Sequence, residues 1–160
     1  MRRGNGITPL ETELNDLLTL AFRSVREIEE DMLKNSKGLN LSISEMHLLQ
    51  TVYDTGQGCT ISMLSASQRI SLPSVTAAVN KLAHKGYVEK QKSPADGRVV
   101  LVTLTRTGRK AVMAHRYFHT RMVRAVSQAL NTDEQEAMLK GVQRLNQFFA
   151  DKLHHEEKKI

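Results

Sequence analysis

A chain of 160 residues, 40% hydrophobic and 25% charged, has the size of one ordinary domain, and no apolar run in it approaches the length that crosses a bilayer. Lys and Arg outnumber Asp and Glu by 23 to 17, which makes nucleic acid the partner to test, and four Phe, three Tyr and no Trp leave little material for stacking single-stranded bases, so duplex DNA is favoured. A lone cysteine, Cys59, excludes an internal disulfide, and since no N-terminal stretch has the layout of a secretory signal, a cytoplasmic protein is expected.

From Pro9 to about Leu33 apolar residues recur as Leu10, Leu14, Leu17, Leu18, Ala21, Phe22, Val25, Ile28 and Met32, the spacing of a helical stripe. Thr8 is placed to cap this helix, Pro9 suits its first position, and Glu11 completes a capping box with Thr8. Asn35 to Asn40 reads as a loop. A second helix is predicted from Ser44 to Tyr53, with Met46, Leu49, Val52 and Tyr53 inward, until Gly56 and Gly58 break it. Cys59 to Ile61 is a candidate for a very short strand, and Ser62 for the cap of a third helix reaching Arg69. Leu72-Pro73 predicts a turn, because the residue before proline avoids helical angles. A fourth helix follows from Pro73 to His84 or Lys85, with Gly86 stopping it in a left-handed cap.

Beyond Gly86 the period changes. Tyr87 to Lys90 and Val99 to Leu104 are β-prone, and the connection between them, Gln91 to Arg98, carries Pro, Asp and Gly turn signals, so a hairpin with a basic tip is predicted. The pattern is helical again from Arg109 to Leu130. Thr132-Asp133-Glu134-Gln135 reads as a capping box opening a last helix, with Met138, Val142, Leu145 and Phe149 on one face.

Two short helices joined by a tight turn and followed by a hairpin make the layout of a winged helix-turn-helix: mainly α with a small β-hairpin wing, the second short helix entering the major groove. In that helix Val75, Val79 and Leu82 form an inward stripe, leaving Pro73, Ser74, Thr76, Ala77, Asn80, Lys81 and His84 outside. Ser, Thr and Asn can approach base edges closely, whereas Lys81 is expected to meet phosphate. The wing carries Lys90, Lys92 and Arg98 around Asp96 and Gly97. A guanidinium at a narrow tip can enter the minor groove, and Asp96 is placed to hold that of Arg98 by a charge-assisted bond.

No Gly-rich phosphate loop, GxSxG elbow or HExxH motif occurs, so neither an enzyme nor a cofactor is expected. A helical interaction module that binds no DNA is the alternative from another class, and the polar helix face and basic wing argue against it. His115 and His119, four apart on one helix face, could share a zinc ion with His47 or a Glu as further ligand, which makes zinc sensing the main competing idea. With a single Cys and no CxxC pattern, no metal site is assigned. The neighbours of Cys59 are uncharged, so it reads as a small buried apolar residue rather than a redox sensor.

The run SLPSVTAAVNKLAHKGYVEK from Ser71 to Lys90, followed by SPADGRVVLVTLTRTG from Ser93 to Gly108, resembles the helix-turn-helix and wing of MarR-family regulators. The likeness includes the Asp-x-Arg of the wing at Asp96 and Arg98 and the Leu-Thr-x-x-Gly exit at Leu104, Thr105 and Gly108. It implies a single MarR-like domain over 1–160, with a DNA-binding lobe at 42–108 and dimerisation helices at 8–34 and 109–153. It also implies a homodimer on a palindromic operator, with Pro73 to Lys85 as recognition helix and Arg98 as wing arginine.

Within the family, Ile43-Ser44-Glu45-Met46-His47, Gly97-Arg98-Val99-Val100, Arg116-Tyr117-Phe118-His119, Lys140-Gly141 and Gln147-Phe148 are similar to repressors of bacterial fatty-acid synthesis, although Gly97 stands where that subgroup's wing has a second basic residue. That resemblance implies an acyl chain on acyl carrier protein as corepressor, seated between the dimerisation helices and the DNA-binding lobe. Leu17, Phe22, Met46, Leu49, Met113 and Phe118 are its candidate wall residues, and His47 and His115 offer polar contacts at its head.

Overall fold

The structure, a computed structural model, describes residues 6–36 and 38–157. The chain divides into two compact units, Met1–His115 and Arg116–Ile160, and the division falls inside a helix.

The first unit opens with α1 (Pro9–Asn35), whose capping box is complete: Glu11 N–H donates to Thr8 Oγ1 at 3.2 Å and Thr8 N–H donates to Glu11 Oε2 at 2.7 Å. The same device, with Ser42 and Glu45, starts α2 (Ile43–Thr55), which ends at Gly56 with φ +74°. Then come α3 (Ile61–Gln68), α4 (Leu72–His84), β1 (Val88–Lys92), β2 (Val100–Leu104) and the start of α5 (Arg106–Gln128). The strands pair antiparallel, Lys90 opposite Val102.

Three local expectations are corrected. Thr60, not Ser62, caps α3: Thr60 takes the extended conformation a cap requires and its hydroxyl accepts the Met63 N–H at 3.1 Å. The strand expected at Cys59 to Ile61 is a single bridge between Thr60 and Leu101. Helix α4 begins at Leu72, because Ser71 supplies the extended residue before it and accepts the Ser74 N–H. The left-handed stop expected at Gly86 is present, with φ +78°.

The core of this unit is built where the apolar stripes of its helices meet: Met46, Leu49 and Val52 of α2, Leu64 of α3, Val75, Val79 and Leu82 of α4, Val102 of β2 and Val112 of α5 are fully buried. Each contributes on the order of 1.5–3 kcal/mol by leaving water. Helix α1 reaches this core only with its last turns, through Leu33 and the half-buried Met32. Ahead of them Leu10, Leu14 and Leu17 stay more than half exposed.

The Leu-Thr-x-x-Gly exit has a physical basis. Thr105 Oγ1 donates to the Gly86 carbonyl at 2.7 Å and accepts the Gly108 N–H at 3.0 Å, capping α5 while tying it to the junction of α4 and β1. At Gly108 a Cβ would lie 2.0 Å from the Tyr87 carbonyl oxygen, so only glycine permits this approach. Buried Tyr87 in turn anchors the segment before α2: its hydroxyl accepts the Asn40 N–H at 3.0 Å.

The second unit comprises the rest of α5 and α6 (Thr132–Glu157). Asn131 and Glu134 form the capping box of α6, in place of the expected Thr132 and Gln135. The Gln135 amide is engaged elsewhere, donating to the Ser127 and Leu130 carbonyls at the end of α5. No described side chain of α6 is fully buried; Met138, Leu139, Val142, Phe148 and Phe149 are all exposed. No helix among the described residues is long and apolar enough to cross a membrane.

Candidate nucleic-acid interface

Helix α4 buries Val75, Val79 and Leu82, and this fixes what it shows to solvent. Pro73, Ser74, Thr76, Ala77, Asn80, Lys81 and His84 are all exposed, as the helical period requires. Pro73 in the first turn costs no hydrogen bond, and the Ser71 and Ser74 hydroxyls bond each other at 2.8 Å. Ahead of this helix, Arg69 turns the chain with φ +52°, a left-handed conformation. Ser65 secures the turn by donating to the Ile70 carbonyl at 2.7 Å.

Lys81 and Lys85 converge on Glu45 of α2. Lys81 Nζ lies 3.1 Å from one carboxylate oxygen and Lys85 Nζ 2.9 Å from the other, and Lys85 also donates to the Asn40 carbonyl. Burial raises the Glu45 pKa, but the Ser42 N–H and the two ammonium groups outweigh it and bring the value from 4.5 down to about 2. Lys81, expected as a phosphate ligand alone, is thus also an ion-pair partner, while Lys85 is mostly buried. Sequence reasoning assigned Glu45 no role in the site; its position in a capping box was the available signal.

In the wing Lys92, Asp96 and Arg98 are exposed. The tip is an ordered turn, with Ser93 N–H donating to the Val99 carbonyl and Val99 N–H to the Asp96 carbonyl. Asp96 does not hold the Arg98 guanidinium as expected. Its carboxylate accepts the Arg98 backbone N–H at 2.9 Å, because an aspartate reaches the main chain two residues on more readily than a long side chain that points outward. Lys90 of β1 donates to Asn80 Oδ1 of α4, linking the wing to the helix.

The candidate effector residues of the first unit stand in different surroundings. Met46 and Leu49 are fully buried in the core, and Met113 is half exposed. Leu17, Phe22 and His47 border three separate surface clefts. In the second unit Phe118 is half-buried, its ring 5.1 Å from that of His119. His115 is buried and its Nε2 lies 3.2 Å from Oε1 of buried Glu29, a partner the sequence reading left as an unspecified Glu. The His47 ring stands edge-on, 5.9 Å from His115. Cys59 is fully buried, and burial pushes its thiol pKa up, against redox sensing.

A polar helix face backed by a packed core, with a basic hairpin beside it, makes a winged helix-turn-helix. A family model described as "MarR family" matches residues 41–100. Among curated proteins, the HTH-type transcriptional regulator ML2140 of Mycobacterium leprae is 30% identical over 98 residues, 61% of this chain and 68% of the relative. YwhA of Bacillus subtilis is 25% identical over 143 residues, 86% and 96% of the two chains. Among solved structures, Streptococcus pneumoniae FabT in complex with DNA aligns with a TM-score of 0.82 at 36% identity, covering 88% of this chain and 97% of that one. A MarR variant from E. coli complexed with operator DNA shares the fold, with a TM-score of 0.62 at 20% identity over 83% and 93% of the chains. The chain belongs to the MarR family of DNA-binding transcriptional regulators.

Proposed function

We propose that this protein is a cytoplasmic repressor that binds a palindromic operator as a homodimer and takes long-chain acyl carrier protein as corepressor at fatty-acid synthesis genes. The observation that carries the reading is its likeness to FabT along nearly the whole length of that chain. In it α4 reads the major groove through Ser74, Thr76, Ala77 and Asn80, and Arg98 enters the minor groove. The helices at 8–34 and 109–153 serve dimerisation, supported by the apolar side chains they expose: Leu10, Leu14 and Leu17 on α1, Val123 on α5 and Leu139 and Phe148 on α6. Within the first unit Met46 and Leu49 fill the core while Leu17 and Phe22 are exposed, so the channel is assigned to the dimer. Titration of acylated and free carrier protein into an operator anisotropy assay tests this. Acylated protein strengthens binding and free protein does not; no response at any chain length overturns the corepressor. Sedimentation shows a dimer, and Leu14→Glu with Leu17→Glu shifts it toward monomer.

A second reading has its own support in the buried Glu29–His115 pair beside His47, with His119 one turn along the helix from His115. Imidazole nitrogens and a carboxylate are a donor set suited to zinc, which would then be the effector. Calorimetric zinc titration distinguishes the two: sub-micromolar binding lost in His115→Gln, with an operator response to zinc and none to acyl chains, reverses the order.

A further inference from the structure

We propose that Asn80 and Lys90 act together as a guanine-selective reader in each half-site. Lys90 reaches from β1 to donate to Asn80 Oδ1. Because an ammonium has donors and no acceptor, it can meet only the amide oxygen, and this fixes the orientation of the carboxamide. The Asn80 NH2 group is left on the outside of α4, next to an ammonium. Both residues are exposed, and Asn80 follows Thr76 and Ala77 on the same helical stripe.

The pair therefore presents donors side by side. In the major groove guanine offers two adjacent acceptors, N7 and O6; adenine sets an N6 amino donor beside N7, and cytosine offers a donor. An asparagine free at both ends bridges adenine by giving through its nitrogen and accepting through its oxygen. Here the oxygen is occupied, and the Lys90 charge repels the adenine amino group. The wing strand thus decides which base its neighbouring helix accepts. This rests on α4 being the element that enters the groove.

The test selects a randomised duplex library with wild type, Asn80→Ala, Asn80→Asp and Lys90→Met, after matched melting curves show intact folds. Asn80→Ala identifies the operator position that loses selectivity, and wild type favours guanine over adenine there by about ten-fold or more. Replacing that base by 7-deazaguanine weakens wild-type binding and leaves Asn80→Ala unchanged. Asn80→Asp keeps its bond to Lys90 but turns its free end into an acceptor, moving preference to cytosine or adenine. Lys90→Met frees the amide oxygen and raises adenine to parity with guanine. A position that reads adenine in wild type, or a guanine preference unmoved in Asn80→Asp and Lys90→Met, overturns the inference while leaving α4 as the reading helix. If Thr76→Ala, Asn80→Ala and Lys81→Ala all bind as wild type, the assignment of α4 falls, and the inference with it.

Discussion

The ion cluster beside α4 gives a prediction whose size follows from its geometry. Glu45→Gln keeps the side chain's length and its ability to accept the Ser42 N–H, since glutamine serves in a capping box as glutamate does, so the substitution isolates the charge. Glu45 ionises at about 2 in the folded chain against an ordinary 4.5. At 1.36 kcal/mol per pKa unit, a difference of that size is worth about 3 kcal/mol at neutral pH. Lys81 is 63% exposed and its share is screened by solvent, whereas Lys85 is only 16% exposed, so roughly 2–3 kcal/mol is the expected loss, shared between the charge-assisted Ser42 N–H bond and the ammonium groups, Lys85 ahead of Lys81.

Because the folded value is depressed, this stability is fully present above pH 4.5 and is lost as pH falls through the folded value near 2. The assay is thermal unfolding of wild type and Glu45→Gln from pH 7 to pH 2. A gap of roughly 5–10 °C at pH 7 should hold down to about pH 5, narrow below pH 4.5 and close near pH 2. Equal melting temperatures at pH 7, or a gap that does not change with pH, would refute an electrostatic origin.

Other perturbations follow from single contacts. Gly108→Ala pushes a methyl into the Tyr87 carbonyl oxygen and should cost about 3 kcal/mol or more, seen as a sharply lowered urea midpoint; an unchanged midpoint would mean that α5 sits farther from the hairpin. Arg98→Ala should weaken operator binding by about 1–3 kcal/mol in anisotropy titrations with the melting curve unaltered, since its side chain is exposed; unchanged affinity removes it from the interface. Lys92→Ala should lower the salt slope of binding by about 0.9, as one phosphate contact does. Lys81→Ala should lower it by less, because Glu45, shared with Lys85, already compensates part of that charge.

What the sequence revealed of the fold was what repeats within a few residues. The Thr8 and Glu11 capping box, the Val75, Val79 and Leu82 stripe and the glycine at 86 depend on neighbours one turn away, so periodicity sufficed. The missed details were choices between adjacent candidates: Thr60 against Ser62, Asn131 against Thr132. Several residues there are acceptable caps, and the winner is set by which backbone N–H the fold leaves open. The exposed face of α4 was legible for the same reason, since exposure there is the complement of burial. Its pairings were not. Glu45 meets Lys85 from 40 residues away and Glu29 meets His115 from 86, and no local pattern encodes either. Met46 and Leu49 show the converse limit: an apolar side chain reads the same in a sequence whether it lines a ligand channel or fills a core.

On the proposed mode of DNA binding, these pairings divide the labour between two elements. On α4 Lys81 shares the single Glu45 carboxylate with Lys85, Asn80 is held by Lys90, and Ser74 is bonded to Ser71, so the helix presents a fixed array of short polar groups beside a partly compensated charge. Such a face discriminates through hydrogen-bond direction, which salt barely affects. The wing tip instead carries Lys92 and Arg98 on an exposed turn, their charges available to phosphates and to the minor groove. Affinity and its salt dependence should then reside mainly in the wing and base selectivity mainly in the helix. The Lys90–Asn80 bond is the contact through which a change in wing position would alter the sequence being read.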